Sequence, residues 1–434
     1  MKTVSPGTDF LSELEWRGLL YQTTSDEPLR KHLASPGRVA YCGFDPTADS
    51  LTIGHMLQAT LLRHWQRCGH KPIALIGGAT GMIGDPSGKD AERQLLTREQ
   101  VEHNVAGIRR VLEKLLDFDS RNPHAAVAVN NHDWLGGISF IDMLRDVGKH
   151  FSVNVMMQKD SVRDRLQNRE QGISYTEFSY QILQAYDFLH LRREMNCTVQ
   201  TAGSDQYGNI VAGIDLIRRE FGQEEAFGIT SPLVTTADGK KIGKTERGAV
   251  WLTADRTSPY AFYQYWINVT DQDVASFLKW YSMKSREEIE GIIEHHRAAP
   301  HERHAQSELA REMTGVIHGD DAVTQVEQAS KALFSGDVRT LGEEMLREVF
   351  ADVPHSEHEL ARLEGDGVPL VDFLPETTLA KSKREAREFL GNGAVSVNGE
   401  KVGTDTPLRT ADLLHGDTIL LRRGKKSWHA TRWK

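Results

Sequence analysis

The sequence predicts an α/β protein: a doubly wound, mostly parallel sheet, then a run of helices, then a small α+β segment. Three observations lead there. Residues 39–44 are apolar and β-capable, 54–68 carry apolar residues at helical spacing, and 72–76 are apolar again, which makes a βαβ unit. Short strands at 125–130 and 197–203 then alternate with helical segments at 97–117, 138–151, 176–191 and 209–219, the pattern of a parallel sheet. After Ser258-Pro259 the alternation stops, and helix follows helix to about 337.

Bulk properties narrow the class. The 434 residues leave room for about three domains. A net charge of −9 argues against a chain that coats nucleic acid by bulk charge, but leaves room for a local basic face. Cys42, Cys68 and Cys197 are far apart and form no Cys-x-x-Cys pair. That argues against a disulfide framework or a cysteine zinc site and fits a reducing cytoplasm. The N-terminal end reads as no signal peptide, and no run is long and apolar enough to span a membrane, so a cytoplasmic protein is expected. The expected organisation is a sheet domain over 1–255, a helical domain over 256–340, an acidic linker over 341–367 and a small domain over 368–434.

Taken in order, 1–37 reads as a helical preface, with Phe10, Leu11, Leu14, Trp16, Leu19, Leu20 and Tyr21 as its stripe. The βαβ unit turns at Asp45-Pro46-Thr47, where proline fixes φ and lacks an N–H. The helix beginning near Gly54 offers free N–H groups and a partial positive charge, a natural seat for phosphate. Thr47 and His55 can donate hydrogen bonds there, Asp45 can accept one, and Gly54 lets a ligand approach the backbone. A plain turn with a capping histidine is the alternative.

The glycine-rich stretch 77–89 is neither a Walker loop nor a dinucleotide fingerprint. Too few residues precede Gly88-Lys89, and Asp90 follows where Ser or Thr is needed. Asp85 and Lys89 remain candidates there for substrate and phosphate contact. Tyr180, Gln184 and Asp187, spaced by four and three, share one face of a largely apolar helix. Buried, they need partners; a solvent-facing stripe is the alternative. Gly203-Ser204-Asp205-Gln206 follows a strand and opens a helix, where doubly wound folds bind ligands. In Lys240-Lys241-Ile242-Gly243-Lys244-Thr245, two lysines three apart can converge on a polyphosphate, or belong to an ordinary charged loop. The last segment holds a basic helix with Lys381, Lys383, Arg384 and Arg387. Its end gathers Arg422, Arg423, Lys425, Lys426, Arg432 and Lys434 with Trp428 and Trp433. Basic side chains can contact phosphate and aromatic ones can stack on bases.

In this order, the motifs make the chain similar to the bacterial tyrosyl-tRNA synthetases, a family of class I aminoacyl-tRNA synthetases, over nearly its whole length. Tyr41-Cys42-Gly43-Phe44-Asp45-Pro46-Thr47-Ala48-Asp49-Ser50-Leu51 resembles that family's opening motif. Thr52-Ile53-Gly54-His55 stands at the signature His-Ile-Gly-His, and Lys241-Ile242-Gly243-Lys244-Thr245 at Lys-Met-Ser-Lys-Ser. Residues 176–180, 183–188 and 203–206 resemble its tyrosine pocket, and the last segment its S4-type RNA-binding domain. The chain departs from the family at Thr52, at Thr201-Ala202, at Tyr207 and at Thr253.

The resemblance implies a Rossmann-like catalytic domain that activates tyrosine with ATP and transfers it to tRNA(Tyr). It implies that Thr47, Lys241, Lys244, Thr245, Lys89 and Arg93 act on the β- and γ-phosphates, with His55 near the phosphates or ribose. Asp45 and Gly203 would contact the nucleotide, Asp205 the ribose, and Cys42 with Gly43 its edge. Tyr41 and Asp187 would hold the phenol hydroxyl, and Asp85, Tyr180, Gln184 and Gln206 the ammonium and carboxylate. Mg²⁺ would accompany ATP, with no structural metal in the protein. A homodimer is implied, with 134–165 as its expected interface through Trp134, Phe140, Phe151, Val155 and Met156; the same apolar residues could equally be core. Two other readings share features: a tryptophan enzyme of the same class, which the Tyr41 and Asp187 pair opposes, and a non-catalytic RNA-binding relative, which Thr52 alone supports.

Overall fold

The computed structural model describes residues 9–86, 95–159, 162–163, 166, 172–222, 225–233, 235–237, 239, 242–245, 248–351, 353–424 and 427–434. They form two compact units: one of residues up to Thr257 with Tyr265–Ile317, the other of Ser258–Gln264 with His318–Lys434.

The first unit begins with α1 (Phe10–Arg17), β1 (Gln22–Thr23) and α2 (Asp26–Leu33). There follow β2 (Val39–Phe44), α3 (Ile53–Arg67), β3 (Lys71–Ile76), α4 (Arg98–Leu115) and β4 (Val127–Asn130). The sheet is completed through α5 (Tyr175–Met195), β5 (Cys197–Gly203), α6 (Tyr207–Phe221) and β6 (Phe227–Ser231). Strand order is β1-β6-β5-β2-β3-β4, parallel except that β1 pairs antiparallel with β6. The chain therefore runs from β2 outward through β3 and β4, then returns to lay β5 on the other side of β2. The carboxyl ends of β2 and β5 flank the switch in direction, the crevice where such sheets bind ligands.

The apolar spacing of α3 buries Ile53, Met56, Leu57, Leu61, Leu62 and Trp65 against the sheet. Of the preface stripe, Phe10, Leu11 and Leu14 are buried, whereas Tyr21 is exposed. The preface also supplies the edge strand β1, which its helical periodicity did not announce. The expected helix at 138–151 is instead a series of short helical turns, Phe140–Asp142, Met143–Val147 and Gly148–His150. Phe140 and Ile141 stand exposed on it.

After the sheet come the short hairpin β7 (Lys244–Thr245) and β8 (Gly248–Ala249), then α7 (Pro259–Ile267), α8 (Val274–Tyr281), α9 (Arg286–Ala298) and α10 (His304–His318). Arg17 of α1 is buried and donates 2.8 Å bonds to the carbonyls of Lys279 and Ser282, which fixes the preface to α8.

The second unit carries α11 (Asp320–Ser335), α12 (Glu343–Val349), β9 (His355–His358), β10 (Val368–Pro369) and α13 (Lys383–Gly391). Its remaining strands are β11 (Val395–Val397), β12 (Glu400–Lys401), β13 (Pro407–Leu408), β14 (Thr418–Arg423) and β15 (Ser427–Trp433). Five of them form a sheet in the order β12-β11-β14-β15-β9. The stretch 341–367 is thus not a bare linker, because β9 pairs in parallel with β15, Trp433 opposite His358. A His-Ser-Glu-His strand has no apolar alternation to reveal it. The C-terminal tryptophans are also not free to stack on bases. Trp428 packs 5.1 Å from Phe350, and Trp433 5.4 Å from Phe373, both buried.

Candidate active site

Tyr41 of β2 and Asp187 of α5 are buried near each other beside the switch point, 1% and 2% exposed. The Tyr41 ring lies 5.3 Å from that of Phe188, and its hydroxyl has no hydrogen-bond partner among the described residues. Burial raises the hydroxyl well above its ordinary pKa, and the charge of nearby Asp187 adds to that. Asp187 accepts 2.9 Å and 2.8 Å bonds from the Asn131 amide and the Trp134 indole N–H. Burial raises its carboxyl to about 7, against the opposing pull of those two donors. The folded chain therefore holds a proton between the ordinary carboxylate range and about pH 7 that the unfolded chain releases. By linkage, this group lowers stability progressively as pH rises through that window.

The sequence places neither Asn131 nor Trp134 in the pocket, and the resemblance puts Trp134 at an interface. The signal available in the sequence was their place, just after β4, at the carboxyl end of a strand. Asn131 also donates 3.0 Å to the Thr80 hydroxyl and accepts 2.8 Å from the Ala79 amide. It ties the glycine-rich turn to the pocket floor.

Around this floor runs a polar ring. The Tyr180 hydroxyl donates 2.9 Å to one oxygen of Asp45, and the Thr80 hydroxyl donates 2.9 Å to the other. Tyr180, expected on the tyrosine side, is thereby joined to Asp45, expected on the nucleotide side. The Gln206 amide donates 2.7 Å to Asp85. Asn209 donates 3.0 Å to Gln184 and 3.1 Å to Gln206, so α5 and α6 present one continuous network. A cationic ammonium group suits a site edged by Asp45 and Asp85.

Among the residues expected on the nucleotide side, Gly203 ends β5 and Asp205 lies on the helical turn after it. Cys42 is buried and burial pushes its thiol up to about 12, while Gly43 beside it is exposed. The surface offered there is the Gly43 backbone. Thr47 and His55 are exposed. Thr52 precedes α3 as its N-cap, with its amide donating 3.2 Å to His55 Nδ1 and its hydroxyl 3.0 Å from the same nitrogen. The threonine that departs from the family signature thus closes a capping box with the histidine that keeps it.

The second signature sits on the first through its backbone. Gly243 has φ +75°, and a Cβ there would lie 3.2 Å from Ile53 Cβ and 3.5 Å from the Gly54 nitrogen. A larger residue would be strained by the positive φ and would crowd Ile53 at the start of α3. The Gly243 carbonyl accepts 2.8 Å from Val250, whose carbonyl accepts 3.2 Å from Ile53. Lys244 and Thr245 pair with Ala249 and Gly248 in the hairpin. Lys241, Lys89 and Arg93 lie outside the described residues.

In the second unit Lys381, Lys383, Arg384 and Arg387 are all exposed at the start of α13. Arg422 and Arg423 are half-buried: Arg422 lies 4.9 Å over the Trp428 ring, and Arg423 lies 4.7 Å over Phe389 and donates 2.6 Å to the Leu379 carbonyl. These two arginines brace the sheet. Lys425 and Lys426 lie outside the described residues. Of the expected interface residues, Phe140 and Val155 are exposed, Met156 is buried, Phe151 packs on the sheet core, and Trp134 stacks 4.3 Å from His190.

Residues 37–335 match the family of tRNA synthetases class I (W and Y), and residues 345–431 match the tyrosine–tRNA ligase SYY-like C-terminal domain. A tyrosine–tRNA ligase of Staphylococcus carnosus (strain TM300) is 52% identical over 427 residues, 98% of this chain and 99% of that one. Two solved structures are similar, both C-terminally truncated mitochondrial tyrosyl-tRNA synthetases. That of Coccidioides posadasii has a TM-score of 0.65 at 33% identity, covering 74% of this chain and 92% of the other. That of Aspergillus nidulans has a TM-score of 0.66 at 30% identity, covering 76% and 95%. Buried Tyr41 and Asp187 beside the switch point of a parallel sheet, and a match running nearly the length of the sequence, lead to one conclusion: the chain belongs to the tyrosine–tRNA ligase family of class I aminoacyl-tRNA synthetases.

Proposed function

We propose the following division of labour for the tyrosine–tRNA ligase reaction in this chain. Tyrosine enters with its ring between β2 and α5. Its hydroxyl meets Tyr41 and Asp187, and its ammonium meets the polar ring of Asp85, Tyr180, Gln184 and Gln206. One carboxylate oxygen attacks the α-phosphorus of ATP in line, and the bond to the bridging oxygen breaks to release pyrophosphate. No covalent enzyme intermediate is needed; positioning and stabilisation of charge on the leaving group do the catalysis. Asp45, Gly43, Gly203 and Asp205 hold the nucleotide. Thr47, His55, Lys241, Lys244 and Thr245, with Lys89 and Arg93, act on the triphosphate. Mg²⁺ comes with the ATP phosphates and neutralises part of their charge. In the second step a ribose hydroxyl at the end of tRNA attacks the tyrosyl carbonyl and AMP leaves.

The observation that best supports this reading is the buried Asp187, oriented by two donors and set beside a Tyr41 hydroxyl that lacks a partner among the described residues. Lys244→Ala is expected to slow tyrosine-dependent exchange of pyrophosphate into ATP by about 100- to 1,000-fold while tyrosine still binds. An unchanged rate would remove the lysine loop from the first step.

For tRNA, the exposed cations on α13 are the proposed phosphate contacts. For the homodimer, the exposed Phe140, Ile141, Val153 and Val155, 57–67% exposed, form an apolar surface suited to a second copy of the chain. No helix among the described residues is long and apolar enough to cross a membrane; a cytoplasmic location is proposed from the cysteine usage.

A further inference from the structure

We propose that Asp49 and Arg256 form a positioning pair that seats the lysine loop on the N-terminus of α3; this rests on the reading that the loop acts on the triphosphate. Neither residue belongs to the polar ring of the pocket, and the pair is assigned no contact with tyrosine or ATP. Their effect is on where the loop lies.

The loop is tied down just beyond its hairpin. Val250 and Leu252 run antiparallel to Leu51 and Ile53, the Leu252 amide donating 2.8 Å to the Leu51 carbonyl and the Ile53 amide 3.2 Å to that of Val250. A pairing this short has little to hold its register, and a slip of one residue would turn each side chain to the other face. A side chain closes it. Trp251 donates its amide 2.9 Å to the Thr257 hydroxyl, and the turn between them carries Arg256 back over the Trp251 ring at 4.7 Å. There its Nε donates to Asp49 Oδ1.

Asp49 is anchored from the other side by α4. His103 Nε2 lies 3.5 Å from Asp49 Oδ2, and Asn104 donates 2.9 Å to the Pro46 carbonyl. Gly107 lets the helix close on this segment, since a Cβ there would fall 2.0 Å from the Asp49 carbonyl oxygen. Asp49 therefore joins α4, the first signature loop and the strand that leads out of the second. Its side chain is 22% exposed and that of Arg256 37%, a setting where an ion pair contributes little to overall stability. What the pair supplies is placement. Misplacing a phosphate-binding loop by about 1 Å can cost on the order of a hundredfold in rate. The flat guanidinium both stacks on Trp251 and reaches the carboxylate, which an ammonium does less well.

The test uses the full chain with Arg256→Met, Asp49→Asn, the double variant and Arg256→Lys. Three readouts are needed: tyrosine affinity, kcat and KM for ATP in pyrophosphate exchange, and backbone amide exchange over 242–252. Each single variant is expected to lose about tenfold or more in kcat. Tyrosine affinity and melting temperature should hold, and the amides of Val250 and Leu252 should exchange faster. The double variant should be no slower than either single, and Arg256→Lys should recover part of the rate. Unchanged amide exchange, an unchanged kcat, or an equal loss of tyrosine affinity would overturn the proposal. Lys244→Ala, run in parallel, separates the two failures. If it is slow while Arg256→Met is normal, the pair has no positioning role; if it is itself normal, the loop's phosphate role is wrong.

Discussion

Asp187→Asn is expected to lower kcat/KM for tyrosine by about 10- to 100-fold while leaving that for phenylalanine nearly unchanged, so that the preference between them shrinks by the same factor. The substitution keeps the volume and removes the charge. Two of the carboxylate's lone-pair directions serve Asn131 and Trp134; a third is left for the substrate hydroxyl. In the variant, one side-chain atom becomes an N–H₂ that cannot accept from Asn131, and the bond to the phenol loses its charge. Phenylalanine has no hydroxyl to lose. The same variant gives a second readout. Because the wild-type carboxyl titrates near 7 in the fold, the melting temperature of the variant should fall less than that of the wild type as pH rises toward 7. An unchanged ratio of tyrosine to phenylalanine rates would take Asp187 out of recognition.

A chain ending near 340 is expected to keep tyrosine-dependent pyrophosphate exchange within about twofold and to lose tRNA charging by about a hundredfold or more. The first expectation follows because Tyr41, Asp45, Asp85, Asp187, Asp205 and the hairpin of the second signature all belong to the first unit. The second follows because the exposed cations of α13 go with the deleted sheet. The place of the cut matters. Removal from 368 onward would delete β15 and leave β9 without its partner, exposing an unpaired strand edge. Normal charging by the shorter chain would show that the C-terminal sheet is dispensable for tRNA.

Much of this was legible in the sequence, for identifiable reasons. β2, α3 and β3 declare themselves because a change of period from two to 3.6 and back is a strong local signal. Tyr180, Gln184 and Asp187 are brought to one face by helical spacing alone, and the structure finds all three half-buried or buried. The illegible parts depend on tertiary pairing. Nothing in His355 to His358 marks a strand until β15 is beside it, with the His358 ring 5.0 Å from Trp433. Trp428 and Trp433 looked like stacking platforms because basic residues flank them; burial against Phe350 and Phe373 decides otherwise. Trp134 is placed at an interface by the resemblance alone, with the core as the alternative, and its indole N–H has no visible partner in the sequence until Asp187 is folded over it. Thr52 was visible as a departure, but its role as the cap that accommodates His55 needed coordinates.

The residues at the carboxyl ends of β2 and β5 are proposed to activate tyrosine with ATP. The most direct measurement is exchange of labelled pyrophosphate into ATP by the full chain, with each of the common amino acids supplied in turn. Exchange that depends on tyrosine, with tryptophan and phenylalanine near background, is the predicted result. Exchange driven by tryptophan, or none with any amino acid, would contradict it.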